Sequence, residues 1–164
     1  MKIITILIYI ILVSCNIYSF SGASITNDVK SFSVDYVNSQ TTNSPSSLNQ
    51  SITDNLQTLI LNQTNLSLEE KSIADLNFKG TIVKYEIKPI AITSNETTAK
   101  NRLTINLKLE YVNNKNKDLN YTTTFTRYRD FDSSINFSEV ELVLIEEITK
   151  ELAEDIFNKA FVNW

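Results

Sequence analysis

Charged side chains are the groups in this sequence that could do chemistry, because the usual catalytic and metal-binding residues are nearly absent from it. The 164 residues include no histidine, one cysteine and two glycines. Without histidine there is no Ser-His-Asp triad and no histidine-ligated zinc. A single cysteine excludes an internal disulfide and a cysteine-ligated iron–sulfur cluster. Two glycines exclude the glycine-rich loops that bind phosphates. The remaining candidates are clusters of carboxylates and of basic residues.

One set of carboxylates has the spacing of a calcium-binding loop. Asp130, Asp132 and Ser134, with Glu141 further on, follow a D-x-D-x-S…E pattern. However, Ile135 stands where the sharp turn of such a loop needs glycine, and no helix is predicted before it. We therefore expect a strand-to-helix connection whose carboxylates lie favourably near a helix N-terminus. We expect no metal, no cofactor and no enzymatic activity.

Six basic residues lie near the ends of predicted strands. In an antiparallel sheet several of them would gather on one face or at one end, where they could bind a phosphorylated or carboxylated amphiphile through charge-assisted hydrogen bonds. Alternatively, they are surface residues interleaved with acids that favour solubility. The formal net charge of −4 argues weakly against a nucleic-acid partner. The six are Lys84, Lys88, Lys100, Arg102, Arg127 and Arg129.

The amino terminus has the pattern of a bacterial lipoprotein signal. Lys2 precedes an apolar run over residues 3–12 that only Thr5 interrupts. Such a run is too short for a bilayer, which needs about 20 residues, but it suits a signal-peptide core. The run leads to Ser14 and Cys15, a small residue followed by the only cysteine, as in a lipobox. An ordinary secretory signal with an incidental cysteine is the alternative.

The lipobox predicts how the chain is divided. Residues 1–14 would be a signal peptide removed by signal peptidase II, and Cys15 would carry a thioether-linked diacylglycerol and an amide-linked, palmitate-type chain. Several acyl chains anchor stably where one does not, since each buried methylene contributes about 0.8 kcal/mol. Residues 15–30 are predicted to be a lipidated tether that leads into the domain. Residues 31–164 are predicted to form one domain.

Hydrophobic periodicity predicts four strands and two amphipathic helices in that domain. Gly80 and Pro89 in the second strand suggest a bulge or bend and an edge position. The first helix should start at Pro45 with Ser44 as its N-cap. The second should start at a capping box formed by Ser138 and Glu141. The strands are predicted over 32–36, 76–93, 103–111 and 119–128, and the helices end near residues 62 and 161.

This order of elements, β-α-β-β-β-α, predicts an α+β fold. Two amphipathic helices cannot bury their apolar stripes alone, and a sheet with one apolar face offers the second layer. We therefore expect a two-layer sandwich, in which both helices pack on one face of a four-stranded, mostly antiparallel sheet. The other face would be polar.

Several segments in order give the chain a resemblance to a known family. It resembles the LptE lipoproteins of Bacteroidetes-type bacteria, which are lipopolysaccharide-assembly lipoproteins. The similarity covers nearly the whole mature chain, and it lies in the order and spacing of the segments rather than in any single motif. The segments are CNIYSFSG at 15–22, FSVDY at 32–36, QTNL at 63–66, DLNFKG at 75–80, NRLTI at 101–105, DIFNKA at 155–160 and NW at 163–164.

The resemblance implies a role rather than a reaction. Members of the family lie on the periplasmic side of the outer membrane, plug the β-barrel LptD and help it assemble, and are thought to bind lipopolysaccharide in transit. Cys15 corresponds to their acylated residue. Lys100 and Arg102, beside the matching NRLT segment, become candidate lipopolysaccharide-binding residues. The competing hypothesis is a lipid-anchored periplasmic binding or structural module without a barrel partner.

Overall fold

The computed structural model describes residues 25–90 and 99–162. These residues form six strands and two α-helices, with a short 3-10 turn at Lys117–Leu119. The predicted signal peptide, Cys15, most of the tether and the last two residues lie outside the described residues. The strands are β1 (Ser31–Val34), β2 (Asn38–Ser39), β3 (Ser67–Leu68), β4 (Leu76–Ile90), β5 (Lys100–Asn113) and β6 (Tyr121–Asp132), and the helices are α1 (Ser46–Gln63) and α2 (Phe137–Phe161).

All six strands belong to one mixed sheet with the order β3-β1-β4-β5-β6. The strands β4, β5 and β6 pair antiparallel over most of their length, whereas β1 is parallel to both β3 and β4. The short β2 continues the line of β1 along β4 and is also parallel to it. The predicted α+β class and the two helices are therefore confirmed, but a four-stranded, mostly antiparallel sheet is wrong.

The parallel part of the sheet follows from how the chain crosses from β1 to β3. Helix α1 lies between these strands in sequence, and a helix that returns the chain to the same end of a sheet makes the next strand parallel. The strands β2 and β3 have two residues each. Two residues are too few to show the alternation by which strands are recognised in a sequence.

The core lies between the sheet and the two helices. The sheet contributes Phe32, Phe78 and alternate residues of β5 from Leu103 to Leu109, all of them buried. The helices contribute apolar stripes at the predicted positions. In α1 these are Leu48, Ile52, Leu56 and Ile60, and in α2 Ile145, Ile148, Leu152 and Ile156. The strand predicted over 32–36 is shorter in the structure, since β1 ends at Val34 and Tyr36 is 50% exposed.

Close packing, rather than a bulge, explains Gly80. A Cβ atom at this position would lie 2.9 Å from Val37 Cγ2 and 3.3 Å from Leu107 Cδ1, and real side chains do not pack that tightly. The register shift in β4 falls instead between Ile82 and Lys84.

Both predicted helix caps are wrong. In α1, Pro45 itself is the N-cap, one residue later than expected. In α2 the N-cap is Asn136, whose side chain accepts a hydrogen bond from the Ser138 backbone N–H. Asparagine and serine are both favoured at the N-cap, and in α2 the asparagine occupies it. Glu141 accepts a hydrogen bond from the Tyr85 hydroxyl at 2.6 Å instead of closing a capping box.

Candidate functional site

The sheet has one face under the helices and one open face. Along β5 and β6 odd-numbered residues point to the helices, and even-numbered residues point away from them. On β6 the open face carries three exposed threonines, Thr122, Thr124 and Thr126, followed by Tyr128. β-branched residues of this kind fit a pleated sheet surface. The open face is therefore broad, polar and free of a covering layer within residues 25–90 and 99–162.

Four of the six basic residues singled out in the sequence lie on the open face, at one end of it. Lys88 lies directly across from Arg102 on the neighbouring strand. Three acids are interleaved with the basic side chains and leave this group close to neutral. We call the whole group the distal patch. It comprises Lys84, Glu86, Lys88, Lys100, Arg102, Tyr128, Asp130 and Asp132.

Arg102 is the most firmly held side chain of the distal patch. Its Nε and Nη2 groups donate to the two carboxylate oxygens of Asp130 at 2.7 and 2.9 Å. The guanidinium carbon lies 3.7 Å from the centre of the Tyr128 ring, a cation–π contact. The hydrogen bonds from Arg102 hold the pKa of the Asp130 carboxyl below its ordinary value. A guanidinium has five N–H donors, so this pair orients Arg102 and still leaves donors for a ligand.

Lys100 lies beside this pair and has acidic neighbours of its own. It stands opposite Asp132 on β6. Its positive charge contributes to lowering the pKa of Asp132, although hydrogen bonds from Ser134 are the larger cause. Lys84 and Lys88 both pair with Glu86, each at 2.9 Å. Acids are thus interleaved with bases, as the solubility interpretation anticipated, yet all four cations share one face.

Arg127 and Arg129 do not join the distal patch, because they point to the opposite face of the sheet. The Arg127 guanidinium binds Asp155 on α2 through Nε at 2.6 Å and through Nη2. Arg129 binds Glu147, with Nε at 2.7 Å, and Glu151. The hydrogen bonds that Arg129 donates to Glu151 and Glu147 raise the pKa of its guanidinium. These ion pairs attach β6 to α2 and have a structural role.

The carboxylates of the calcium-like pattern each have a separate partner. Asp130 lies on the open face with Arg102. Asp132 accepts hydrogen bonds from the backbone and hydroxyl of Ser134. Glu141 accepts a hydrogen bond from the hydroxyl of Tyr85, which lies on the face of the sheet that the helices cover. Among the described residues no cluster of acids, cysteines or histidines is placed to hold a metal ion.

A shallow cavity of about 190 Å³ lies on the same open face, nearer to the β5–β6 hairpin than the distal patch is. Lys79 and Glu110 approach each other at 3.5 Å on its rim. Lys108, which the sequence reading did not single out, also lines it, with Gln40 and Thr81. The open face therefore offers a second basic position beside the distal patch.

The distal patch lies far along the sheet from the amino-terminal end of the described residues. Ile25, the first described residue, lines a small cavity with Leu76 and Phe161. Leu76 starts β4, and Lys84 and Lys88 of the distal patch lie 8 and 12 positions further along this strand. At about 3.3 Å per residue, Lys88 lies about 40 Å from Leu76. No helix in the described part of the chain has the length and apolar character needed to cross a membrane.

The partners of Arg102 on the neighbouring strand were not predicted from the sequence. Asp130 and Tyr128 hold Arg102, and neither was named with it. The alternation of β6 could have indicated them. Phe125 faces the core, so the other odd-numbered residues, Arg127 and Arg129, face the helices, and the even-numbered Tyr128 and Asp130 face the open side. The hairpin between β5 and β6 then places Arg102 opposite Asp130.

The folds of several solved bacterial proteins, two of them lipoproteins, are similar to this one. A minor lipoprotein from Acinetobacter baumannii superposes with a TM-score of 0.52 at 12% identity, over 79% of this chain and 91% of that one. The rare lipoprotein B from Shewanella oneidensis gives a TM-score of 0.50 at 13% identity, over 77% and 91%. A neuraminyllactose-binding hemagglutinin homologue from Helicobacter pylori gives 0.53 at 12% identity, over 87% and 88%. At these identities the similarity establishes the fold alone.

Sequence comparison gives the family. No curated protein sequence matches the chain. The family model described as LptE, lipopolysaccharide-assembly, matches residues 29–160, which include every strand and all but the last residue of α2. The chain therefore belongs to the LptE lipopolysaccharide-assembly family.

Proposed function

We propose that this chain is a non-enzymatic outer-membrane lipoprotein that plugs an LptD-type β-barrel, helps it assemble and assists lipopolysaccharide transport to the cell surface. The observation that carries the proposal is the family match over residues 29–160. Anchorage would be through acylated Cys15 on the periplasmic side, after removal of residues 1–14.

The surface of the domain supports a place inside a barrel. The lumen of a large outer-membrane barrel is polar, so a plug needs a polar exterior around a core of its own. The open face meets this need with its threonines, lysines and glutamates. The helix face is closed by α1 and α2, whose apolar stripes are turned inward.

The position of the predicted anchor also supports the proposal. Ten residue steps separate Cys15 from Ile25, and an extended chain of that length reaches up to about 35 Å. A tether that joins the domain at one end leaves the other end, with the distal patch, free to enter a barrel from the periplasm. Lipid and distal patch would then lie on opposite sides of the plug.

Lys100 and Arg102 are our proposed lipopolysaccharide-binding residues. Lipopolysaccharide carries phosphate groups, and guanidinium and ammonium groups bind phosphate through charge-assisted hydrogen bonds. Arg102 is already oriented by Asp130 and Tyr128. A side chain that is held before binding loses less conformational freedom when the ligand arrives.

Depletion of the protein in its own host tests the proposal. We expect less of the folded barrel, measured by its heat-modifiable migration in gels, and less lipopolysaccharide on the cell surface. The wild-type chain should restore both, whereas Cys15→Ala should restore neither fully because it cannot be acylated. Normal barrel and surface lipopolysaccharide in depleted cells would contradict the proposal.

A further inference from the structure

Strand β6 has a long edge with no strand beside it in the described part of the chain. It lies at one margin of the sheet and contains 12 residues. Its pairing with β5 continues without a shift from Tyr121 to Asp132, and it contains no proline. The outer N–H and C=O groups of such a strand are a template for another strand. The outer edge of β6 is therefore available to pair with another strand.

The charges along β6 are distributed unevenly between its two halves. Residues 121–126 are uncharged, and three of them are exposed threonines. The second half, 127–132, carries two arginines and two aspartates. An antiparallel copy of the same strand would place the charged half of each copy against the uncharged half of the other. Like charges directly opposite each other destabilise a sheet, and this arrangement avoids them.

We propose that the β6 edge binds a second copy of this chain, as an antiparallel strand in which Thr126 lies opposite Thr126 of that copy. A twofold axis perpendicular to the sheet places the open faces of both copies on the same side. Even-numbered residues of one strand then lie opposite even-numbered residues of the other, and odd-numbered residues lie opposite odd-numbered ones. Two registers then pair nearly the whole strand. One centres on Arg127 and places that cation opposite itself, whereas the other centres on Thr126.

In the Thr126 register every charged residue of the paired strand segment lies opposite an uncharged residue of the other copy. On the open face Asp130 lies opposite Thr122, and Tyr128 lies opposite Thr124. On the helix face Arg127 lies opposite Phe125. Arg127 and Arg129 are already held by Asp155, Glu147 and Glu151 of α2 in their own chain, so their charge is largely compensated within each copy.

The expected dimer is weak in solution. One pair of strand edges buries much less than the roughly 1,600 Å² of a standard stable interface. Two copies confined to the same membrane meet at a higher effective concentration. The dimer would form between copies that are outside a barrel, because a chain that plugs a barrel lumen cannot also pair with a second copy through β6. It does not depend on a barrel partner, since the edge belongs to the domain alone.

Disulfide trapping tests the register. The full-length lipidated protein carrying Thr126→Cys is placed in vesicles of phosphatidylethanolamine and phosphatidylglycerol and oxidised mildly. Opposed residues on paired strands lie within the Cα separation that a disulfide requires. We expect at least tenfold more disulfide-linked dimer than with Thr122→Cys. Thr122 is the matched control, because it is also an exposed threonine on the open face of β6, yet it would face Asp130. The wild-type chain, with Cys15 alone, gives the background.

A second measurement keeps the test independent of any one variant. Thr124→Cys and Tyr128→Cys proteins should form mixed dimers when combined, and few dimers when oxidised separately. Circular dichroism checks that each variant is folded. Equal yields from Thr126→Cys and Thr122→Cys, or no mixed dimers from the second pair, would overturn the proposal.

Discussion

Arg102 and Asp130 lie directly opposite each other on β5 and β6 and form a two-pronged ion pair, with the guanidinium stacked on Tyr128. This geometry makes Arg102 an oriented group rather than a mobile surface cation. It also places the pair beside Lys100, on the face that no helix covers. The candidate ligand site is therefore built by strand register, not by one segment of sequence.

Reversal of both charges in Lys100→Glu/Arg102→Glu should weaken lipopolysaccharide binding at least tenfold. The substitutions remove the two cations that are proposed to bind phosphate, and they place new acids beside Asp130. Binding is measured by fluorescence titration with purified lipopolysaccharide, and circular dichroism confirms the fold. Lys150→Glu, on the exposed surface of α2, is the control and should bind normally. Unchanged affinity of the double variant would remove both residues from the site.

Asp75→Asn should lower the free energy of unfolding by about 1–2 kcal/mol. The Asp75 carboxylate accepts hydrogen bonds from the backbone N–H groups of Lys30 and Ser31 and forms an ion pair with Lys115 at 2.9 Å. It thus ties the start of the domain to the β5–β6 loop. Urea unfolding measures the loss, and Asp118→Asn in the same loop should change stability by less than about 0.5 kcal/mol. Equal effects of the two substitutions would contradict this role.

The same residue gives a pH dependence with a defined sign. Backbone hydrogen bonds, with Lys115, hold the pKa of Asp75 below its ordinary value. Its stabilisation is therefore complete above the unfolded-state pKa of about 4 and is lost as the pH falls through the lower, folded-state value. The stability difference between wild type and Asp75→Asn should be smaller at pH 3 than at pH 7. A difference that grows on acidification would contradict it.

Gly80→Ala should destabilise the domain by about 1–3 kcal/mol through overpacking. The added methyl group would meet the side chains of Val37 and Leu107, which are both buried. Combining it with Val37→Ala should recover part of that loss. Thermal unfolding of the two single variants and the double variant measures the coupling. Strict additivity would show that Val37 is not the residue in conflict.

Arg129→Ala should cost about 1 kcal/mol, at the upper end for partly exposed ion pairs, because it releases both Glu147 and Glu151. The loss should shrink in 1 M salt, where electrostatic interactions are screened beyond about 3 Å. Lys150→Ala, which breaks only an exposed helix pair, serves as the comparison. An effect of Arg129→Ala that salt does not change would point to lost packing instead.

The sequence predicted the long elements of this fold, but not how its short strands pair. Alternation at 103–111 and apolar stripes in both helices reveal elements that bury one face, and all three are confirmed. The strands β2 and β3 have no such signal, because they are two residues long and are held by neighbours distant in sequence. The cap of α2 was mispredicted because Asn136 and Ser138 are both good N-cap residues, and Glu141 is engaged by Tyr85 instead of closing a capping box.

The candidate site was predictable in part. Lys100 and Arg102 lie on the open face, as strand alternation indicates, and the distal patch collects four cations. Alternation also separates Arg127 and Arg129 from them, once Phe125 is placed in the core. The acids that neutralise the cations depend on the register between strands, which becomes known only when the pairing is seen.

The most direct test of the central claim is a tagged pull-down from detergent-solubilised outer membrane, with mass spectrometry of the recovered proteins and their stoichiometry. Our account predicts one large β-barrel protein of the LptD type, recovered with this chain at a ratio near 1:1. Recovery of the lipoprotein without the barrel, from membranes in which that barrel is abundant, would contradict the plug. The chain would then be a lipid-anchored binding or structural module with an LptE-type fold.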